Sequence, residues 1–457
     1  MKKKLAAILA LLQLCALLAA CSKEKESEDT SAPDTAAPTD SVSEPAETEP
    51  LTEAERRALV PDDLPDQTYG GAKFTIITLN SRTALYYAEE LTGVALNDAI
   101  YERNETVQNR FDVEIGVLGY ADRLSCRAAI QQAIRGGDAD MFDLVAYHLA
   151  DNGANAVAGL YRNWYDIPHV NFEKPWWSDS NVEDLTINGK CFIALGDVSI
   201  TSVRNIWCYI LNKQLAVDND LEDLYDLVRK GEWTIDKVRE IAEKVYVDTN
   251  ADGIANRGDT FGLGSYQGSA MNTYLWAFDN PIIKKDDQGV PQYVLNTEKL
   301  PDIVTTIVEL YNHVNGVYSS VSPDTTSHID EFKNGNIVMI TGSFADVVSY
   351  SGEVEFEIGV LPYPKFNQEQ DAYYTMVDGG GDSMGVSIVS KDVEYIGTIT
   401  EALCAESYKQ IYPVYYDMML KNRYADRPDD AEMMDIVVAG RVYDLGYIYD
   451  NWLGAGF

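Results

Sequence analysis

The sequence predicts an α/β protein built as two lobes, on three observations. Its 457 residues exceed what one core of ordinary size holds, since compact domains usually run about 100 to 200 residues. Beyond Tyr69, short runs of branched residues alternate with segments of helical period, the pattern of a parallel sheet covered on both faces. Hydrophobic residues at 46% and aromatics at 11% suffice for buried cores.

The first strand is expected over 74–79, ending in Asn80-Ser81. Asn97 is placed to cap a helix over 97–110, with Ala99, Ile100, Arg103, Val107 and Phe111 keeping its rhythm. Residues 112–118 alternate as a strand, 127–135 read as a helix and 142–147 as a buried strand. Ligands of such sheets gather beyond the carboxyl ends of the strands, which points at Asn80, Tyr120 and Tyr147-His148. Residues 188–196 read as a hairpin edge, followed by an apolar strand from Trp207. A helix-rich region is expected over 221–334, then strands over 336–340, 357–361 and 383–389, and a helix over 395–408.

Ahead of this, Met1 to Lys4 is basic, Leu5 to Leu17 is mostly apolar, and Leu18-Ala19-Ala20 precede Cys21. The apolar run is shorter than the roughly 20 residues that span a bilayer. It resembles a bacterial lipoprotein signal peptide. The resemblance implies removal of 1–20, lipid such as palmitate on Cys21, and residence on the extracytoplasmic side of the cell membrane. Several acyl chains would hold the protein there, at roughly 0.8 kcal/mol per buried methylene. From Ser22 to about Asp66 the composition is Ser, Thr, Pro, Ala, Asp and Glu, too poor in apolar side chains to offset the entropy of ordering. A disordered tether over 21–68 is expected, with globular structure starting near Tyr69.

A net charge of −37 repels phosphate backbones, which excludes nucleic acid as a partner. With Cys15 in the leader and Cys21 lipidated, Cys126, Cys191, Cys208 and Cys404 remain, without a C-x-x-C. That spacing excludes zinc knots and dithiol motifs. Buried thiols are expected, and a Cys191–Cys208 disulfide stays open.

The sharpest local signal is 248–259. Asp248, Asn250, Asp252, Asn256 and Asp259 supply oxygens at positions one, three, five, nine and twelve, Gly253 stands at six, and Ile254 offers its carbonyl. Calcium takes six to eight oxygens, and this spacing wraps them round one ion. Phe261-Gly262-Leu263 leads out as strand or turn rather than helix, so the expectation is a solitary structural calcium site; a plain turn is the alternative. A sugar cleft wants flat rings beside fixed polar groups, for which Tyr120, Tyr147, Trp164, Tyr165, Trp176, Trp177, Trp207, Tyr209, Tyr274, Trp276 and Phe344 are candidates. Neighbours on a strand alternate faces, so one of Trp176 and Trp177 is expected to face solvent or cleft. Asp378 and Gly379 open a polar, glycine-rich loop that lets backbone approach a ligand. Gly381-Asp382-Ser383-Met384-Gly385 matches G-x-S-x-G, yet strand rather than helix is expected after it, and all four histidines precede Ser383. No catalytic pattern survives.

The order of motifs resembles the extracellular solute-binding proteins of ABC importers, the group of maltose-binding and other sugar-binding lipoproteins. The residues that carry the likeness are 97–104 with Phe111-Asp112-Val113, Lys174-Pro175-Trp176-Trp177, the stretch 189–213, Trp233-Thr234-Ile235-Asp236, and Phe332-Lys333-Asn334-Gly335 before Met339 to Ser343. It implies a type II periplasmic-binding-protein-like fold: one lobe of 69–196 plus 378–410, another of 197–364, a crossing segment at 365–377, and 411–457 as helices packed across both. A ligand would sit in the cleft, with Ser343 and Phe344 beside the residues named above, and closure would be a hinge motion. The implied partners are a small solute, most readily a sugar, and a membrane permease, with the binder acting as a monomer. A surface glycan-degrading lipoprotein with paired carboxylates is the alternative.

Overall fold

The computed structural model describes residues 52–177, 179–321, 324–415 and 428–450. The leader, Cys21, the tether as far as residue 51 and the chain from residue 451 on lie outside the described residues. In chain order the strands are β1 (Ala72–Leu79), β2 (Val113–Tyr120), β3 (Leu144–His148), β4 (Trp207–Asn212), β5 (Phe261–Tyr266), β6 (Ile283–Lys285), β7 (Pro291–Tyr293), β8 (Val317–Ser320), β9 (Ile337–Ser343), β10 (Ile358–Leu361), β11 (Thr375–Met376), β12 (Asp382–Gly385) and β13 (Arg441–Val442).

Two sheets carry the architecture. The first has the order β12-β3-β1-β2, with β1 parallel to β2 and β3 and β12 running antiparallel to β3. Every residue of β3 is buried, as a strand covered on both faces requires. The second has the order β10-β4-β9-β5-β8; β5 is parallel to β8 and β9, and β4 is antiparallel to β9 and β10. Helix Ile235–Val245, opened by Thr234 capping Lys237 N, packs so closely on β5 and the start of β8 that a Cβ on Gly262 would stand 2.4 Å from Ala242 Cα and one on Gly316, just before β8, 1.8 Å from the Ala242 carbonyl oxygen. No helix among the described residues is long and apolar enough to cross a membrane.

Helix Ala95–Phe111 buries Ala99, Ile100, Arg103, Val107 and Phe111 and ends at Asp112 with φ 49°. It packs along helix Val393–Tyr412, where the buried Arg103 donates to Ser407 Oγ and Tyr86 O, each at 2.8 Å. Asn97 does not cap it: the helix starts two residues earlier, Asn97 Nδ2 donates to Glu90 O, and Asp98 accepts Thr92 N (2.7 Å).

Two further expectations change. The end of the expected tether is structured, since helix Glu53–Ala58 opens with a Thr52/Glu55 capping box. Arg57 is buried, its guanidinium over the rings of Tyr408 and Tyr412, and Val60 and Leu64 pack on the core. Sparse as they are, these side chains find partners on helix Val393–Tyr412, which composition alone does not reveal. The stretch 188–196 is no regular hairpin; it makes isolated bridges, Ile187 with Lys190, Ala194 with Met384, and Gly196 with Trp177. The four described cysteines are free and buried, Cys191 and Cys208 included.

Past residue 427 the chain ties elements together. Helix Pro428–Ala439 presents the buried Asp430 to Lys213 Nζ (2.6 Å) and to the Tyr225 hydroxyl. β13 pairs with β11, and the Asp444 carboxylate accepts Trp276 Nε1 (2.8 Å) and Ile282 N (2.6 Å).

Candidate functional site

A cavity of about 330 Å³ opens where the ends of both sheets meet. Ser81, Arg82 and Leu85 follow β1; Thr201, Arg204 and Asn205 belong to the short helix Thr201–Arg204 and its cap; Trp207 begins β4; Ser343 ends β9, with Ala345 and Asp346 in the helix after it; and Asp378 precedes β12. Strand pairing puts them together. Antiparallel β4 and β9 set Trp207 opposite Ser343, and antiparallel β3 and β12 set His148 opposite Asp382. A bridge between Ile206 and Val377, with Asp378 N donating to Asn205 O (2.9 Å), brings the segment before β12 to the start of β4.

The polar groups are held by neighbours. Trp207 Nε1 donates to Asp378 Oδ2 (3.1 Å), and Gly380 N donates to its other oxygen (2.7 Å). Asp346 accepts Ser343 N (2.7 Å), Ser343 Oγ (2.8 Å) and the Tyr350 hydroxyl (3.2 Å). Arg82 pairs with the buried Asp382 and donates to Gly380 O, while Tyr86 Oη donates to the Asp382 carboxylate (2.8 Å) and the Asp382 backbone N–H donates to Thr201 Oγ1 (2.9 Å). Burial raises the Asp382 carboxyl above its ordinary value, opposed mainly by the Arg82 charge. The result is a partly exposed indole beside carboxylates, hydroxyls, an amide and guanidinium groups, a surface suited to noncovalent recognition of a small polar molecule.

Of the residues expected to bind ligand, Trp207, Ser343 and Asp378 line this cavity. Three more stand beside it in the chain or sheet. Asn80 precedes Ser81 and is exposed, its Oδ1 lying where a Cβ on Gly119 would come within 2.2 Å. Tyr120 ends β2 opposite Leu79, partly exposed. Gly379 N donates to the Tyr447 hydroxyl (3.2 Å). The others are committed to the interior. Tyr147 donates to Arg123 O (2.6 Å), Trp276 is bound to Asp444, and Phe344 is fully buried. Of the wider set of rings, Trp164, Tyr209 and Tyr274 are buried as well.

Trp176 and Trp177 both turn inward, with 0% and 1% exposure. The alternation argument does not hold because they sit in a turn rather than a strand. Each indole N–H donates at 2.8 Å to one oxygen of the buried Glu401. Burial pushes the Glu401 carboxyl up to about 7, and the two indoles pull the other way.

Ser81, Arg82, Thr201, Arg204, Asn205 and Asp346 were not reached by sequence reasoning. Asp346 had a legible signal, a Ser-x-x-Asp capping box from Ser343. Arg82 lies three residues past the end of β1, whereas nothing in the sequence marks the four-residue helix that carries Arg204.

Elsewhere, the loop 248–259 turns at Gly253 (φ 77°), whose N–H donates to Asp248 Oδ2 (2.7 Å). Asn256 Nδ2 donates to Asp252 Oδ2 (3.0 Å) and Ile254 O (2.8 Å). Asp259 is buried and accepts Thr249 N (2.9 Å) and Asn256 N (3.1 Å). Among the described residues no three His, Cys, Asp or Glu side chains form a metal-holding group. Ser383 of the G-x-S-x-G pattern is fully buried within β12, its hydroxyl accepting Asn152 Nδ2 (3.0 Å).

No protein-family model and no curated protein matches the chain. Solved structures do. A cyclo/maltodextrin-binding protein complexed with maltotetraose aligns over 81% of this chain and 86% of its own, at 16% identity and TM-score 0.54. An ABC substrate-binding protein from Listeria monocytogenes in complex with cycloalternan aligns over 82% and 88%, at 15% identity and TM-score 0.53. UgpB from Mycobacterium tuberculosis in complex with glycerophosphocholine aligns over 84% and 92%, at 15% identity and TM-score 0.52. The chain thus has the type II periplasmic-binding-protein fold, the fold of ABC-importer substrate-binding proteins similar to maltose-binding protein.

Proposed function

We propose that this protein captures a small solute, a carbohydrate, and delivers it to an ABC permease, doing no covalent chemistry. The observation that carries the reading is the cavity formed where the ends of both sheets converge, with Trp207 as the ring and Asp346, Asp378, Ser81, Ser343 and Asn205 as hydrogen-bonding groups. A sugar presents an apolar C–H face to a ring and hydroxyl rims to such groups. The similar structures complexed with maltotetraose and cycloalternan support a sugar as the solute, and both are described as binding proteins. Closure of the two sides over the solute, and reopening at the permease, would be a hinge motion.

The test is thermal shift and calorimetry against a sugar panel, with the ligand recovered afterwards. Stabilisation by a sugar recovered intact is the expected result; hydrolysed sugar would favour the glycan-degrading alternative. Within the same reading the binder works alone, anchored at the cell surface through lipid on Cys21. Replacing Cys21 with serine is then expected to release it from membranes, checked by fractionation.

The loop 248–259 is assigned a structural calcium. The support is that the Asp252 carboxylate and the Ile254 carbonyl already converge on one atom, Asn256 Nδ2. A cation replacing that amide would meet both oxygens, with Asp248, Asn250 and the Asn256 side-chain oxygen available once the amide rotates, and Asp259 available by exchanging its backbone bonds for the ion.

A further inference from the structure

The charges of the cleft are not evenly compensated. Arg82 is paired with Asp382. Asp378 and Asp346 are held by neutral donors, an indole and backbone amide for one and serine and tyrosine groups for the other. Arg204 lines the same cavity, partly buried, and its guanidinium makes no hydrogen bond or ion pair among the described residues. Its backbone is fixed, with Arg204 N donating to Ile200 O (2.8 Å) as the last residue of helix Thr201–Arg204. Its charge reaches the buried Asp382, adding to that of Arg82 there, yet among the described residues no carboxylate closes on the guanidinium as an ion pair, although the chain has 73 acidic side chains against 36 basic ones.

From this we infer that the solute carries an anionic group, a phosphate ester or a carboxylate, seated on Arg204, and hydroxyls facing Asp346 and Asp378. The inference rests on the solute-binding reading and narrows it to acidic sugars. A guanidinium offers five N–H donors in a fork that matches the oxygens of either group. Thr201, Asn205, Ser81 and Ser343 lie around the same cavity to donate to the remaining oxygens. Carboxylates held by neutral donors still have free lone pairs, so they accept hydroxyl hydrogens and disfavour a second anion beside them. That polarity orients the solute, acid toward Arg204 and hydroxyls toward the aspartates. At about 330 Å³ the cavity lies at the small end of the roughly 300 to 1,000 Å³ usual for ligand sites, suiting one or two sugar rings.

The experiment is calorimetric titration of the full chain with glucose 6-phosphate, glucuronate and glucose, repeated with R204Q and R204K. At least one acid is expected to bind tenfold or more tightly than glucose, to weaken as salt rises, and to lose at least tenfold in R204Q. R204K is expected to retain part of the affinity. Tight binding of glucose 6-phosphate alone assigns a phosphate ester, and of glucuronate alone a carboxylate. Glucose binding as tightly as both acids, or acid affinity unchanged in R204Q and R204K, would overturn the inference while leaving the solute-binding reading intact. Binding by none of the three also overturns it, and the wider sugar panel then decides the broader reading. The salt dependence of the unaltered chain needs no variant, so a poorly folded R204Q does not blunt the test.

Discussion

Glu401 shows how a single buried carboxyl sets both structure and a pH response. Its two oxygens organise Trp176 and Trp177, and among the described residues no cation pairs with it. Its folded pKa, raised to about 7 from 4.5, means that the folded state holds the proton more tightly than the unfolded chain. This contribution to stability is full below about pH 4.5 and is lost as pH rises to about 7. The loss is on the order of 3 kcal/mol, at about 1.4 kcal/mol per pKa unit. Denaturant melts of the protein and of E401Q between those limits check it: the stability difference is expected to shift in favour of E401Q as pH rises, and a constant difference would contradict the assignment. In the cleft, Trp207→Ala removes both the ring and the donor to Asp378, and a sugar that binds the unaltered protein is expected to lose tenfold or more in affinity, about 1.4 kcal/mol. Trp276→Phe, which removes the donor to Asp444, is expected to lower the melting temperature and leave affinity in place; the same titration and melt separate the two.

Regular elements were legible because hydrophobic periodicity is a local signal. The strands at 74–79 and 142–147 and the helix ending at Phe111 follow from branched residues and a 3.6-residue rhythm, and they appear within a few residues of the expected positions. What failed depends on distant partners. Trp176 and Trp177 were judged as strand neighbours, but their carboxylate lies more than two hundred residues away on helix Val393–Tyr412. Arg57 and the helix around it depend on that same helix. Of the cleft, Trp207, Ser343 and Asp378 were within reach because they border strands, while Arg204 sits in a helix too short to leave a pattern. Two outcomes belong to this scale. Gly316→Ala drives a Cβ into the Ala242 carbonyl and is expected to cost about 1–3 kcal/mol, as overpacking does, measurable by urea melts. For the loop 248–259, chelation is expected to lower the melting temperature, and D252A to abolish that response; identical melts with and without chelator would remove calcium from the account.

At the scale of the molecule, two sheets of different topology bring their functional ends to one cavity, and the C-terminal elements reach back through Asp430 and Asp444 to residues of helices and loops far earlier in the chain. That arrangement gathers a ring and hydrogen-bonding groups around one space, as the proposed binder requires. The fold is shared with solved structures of a maltodextrin-binding protein and an ABC substrate-binding protein. The most direct measurement is titration of the full chain with a panel of neutral and acidic sugars, followed by recovery of the bound sugar. The account requires at least one sugar to bind with a single site per chain, to be weakened by Trp207→Ala, and to be recovered unaltered. Recovery of a cleaved sugar, or no binding across the panel, would contradict it.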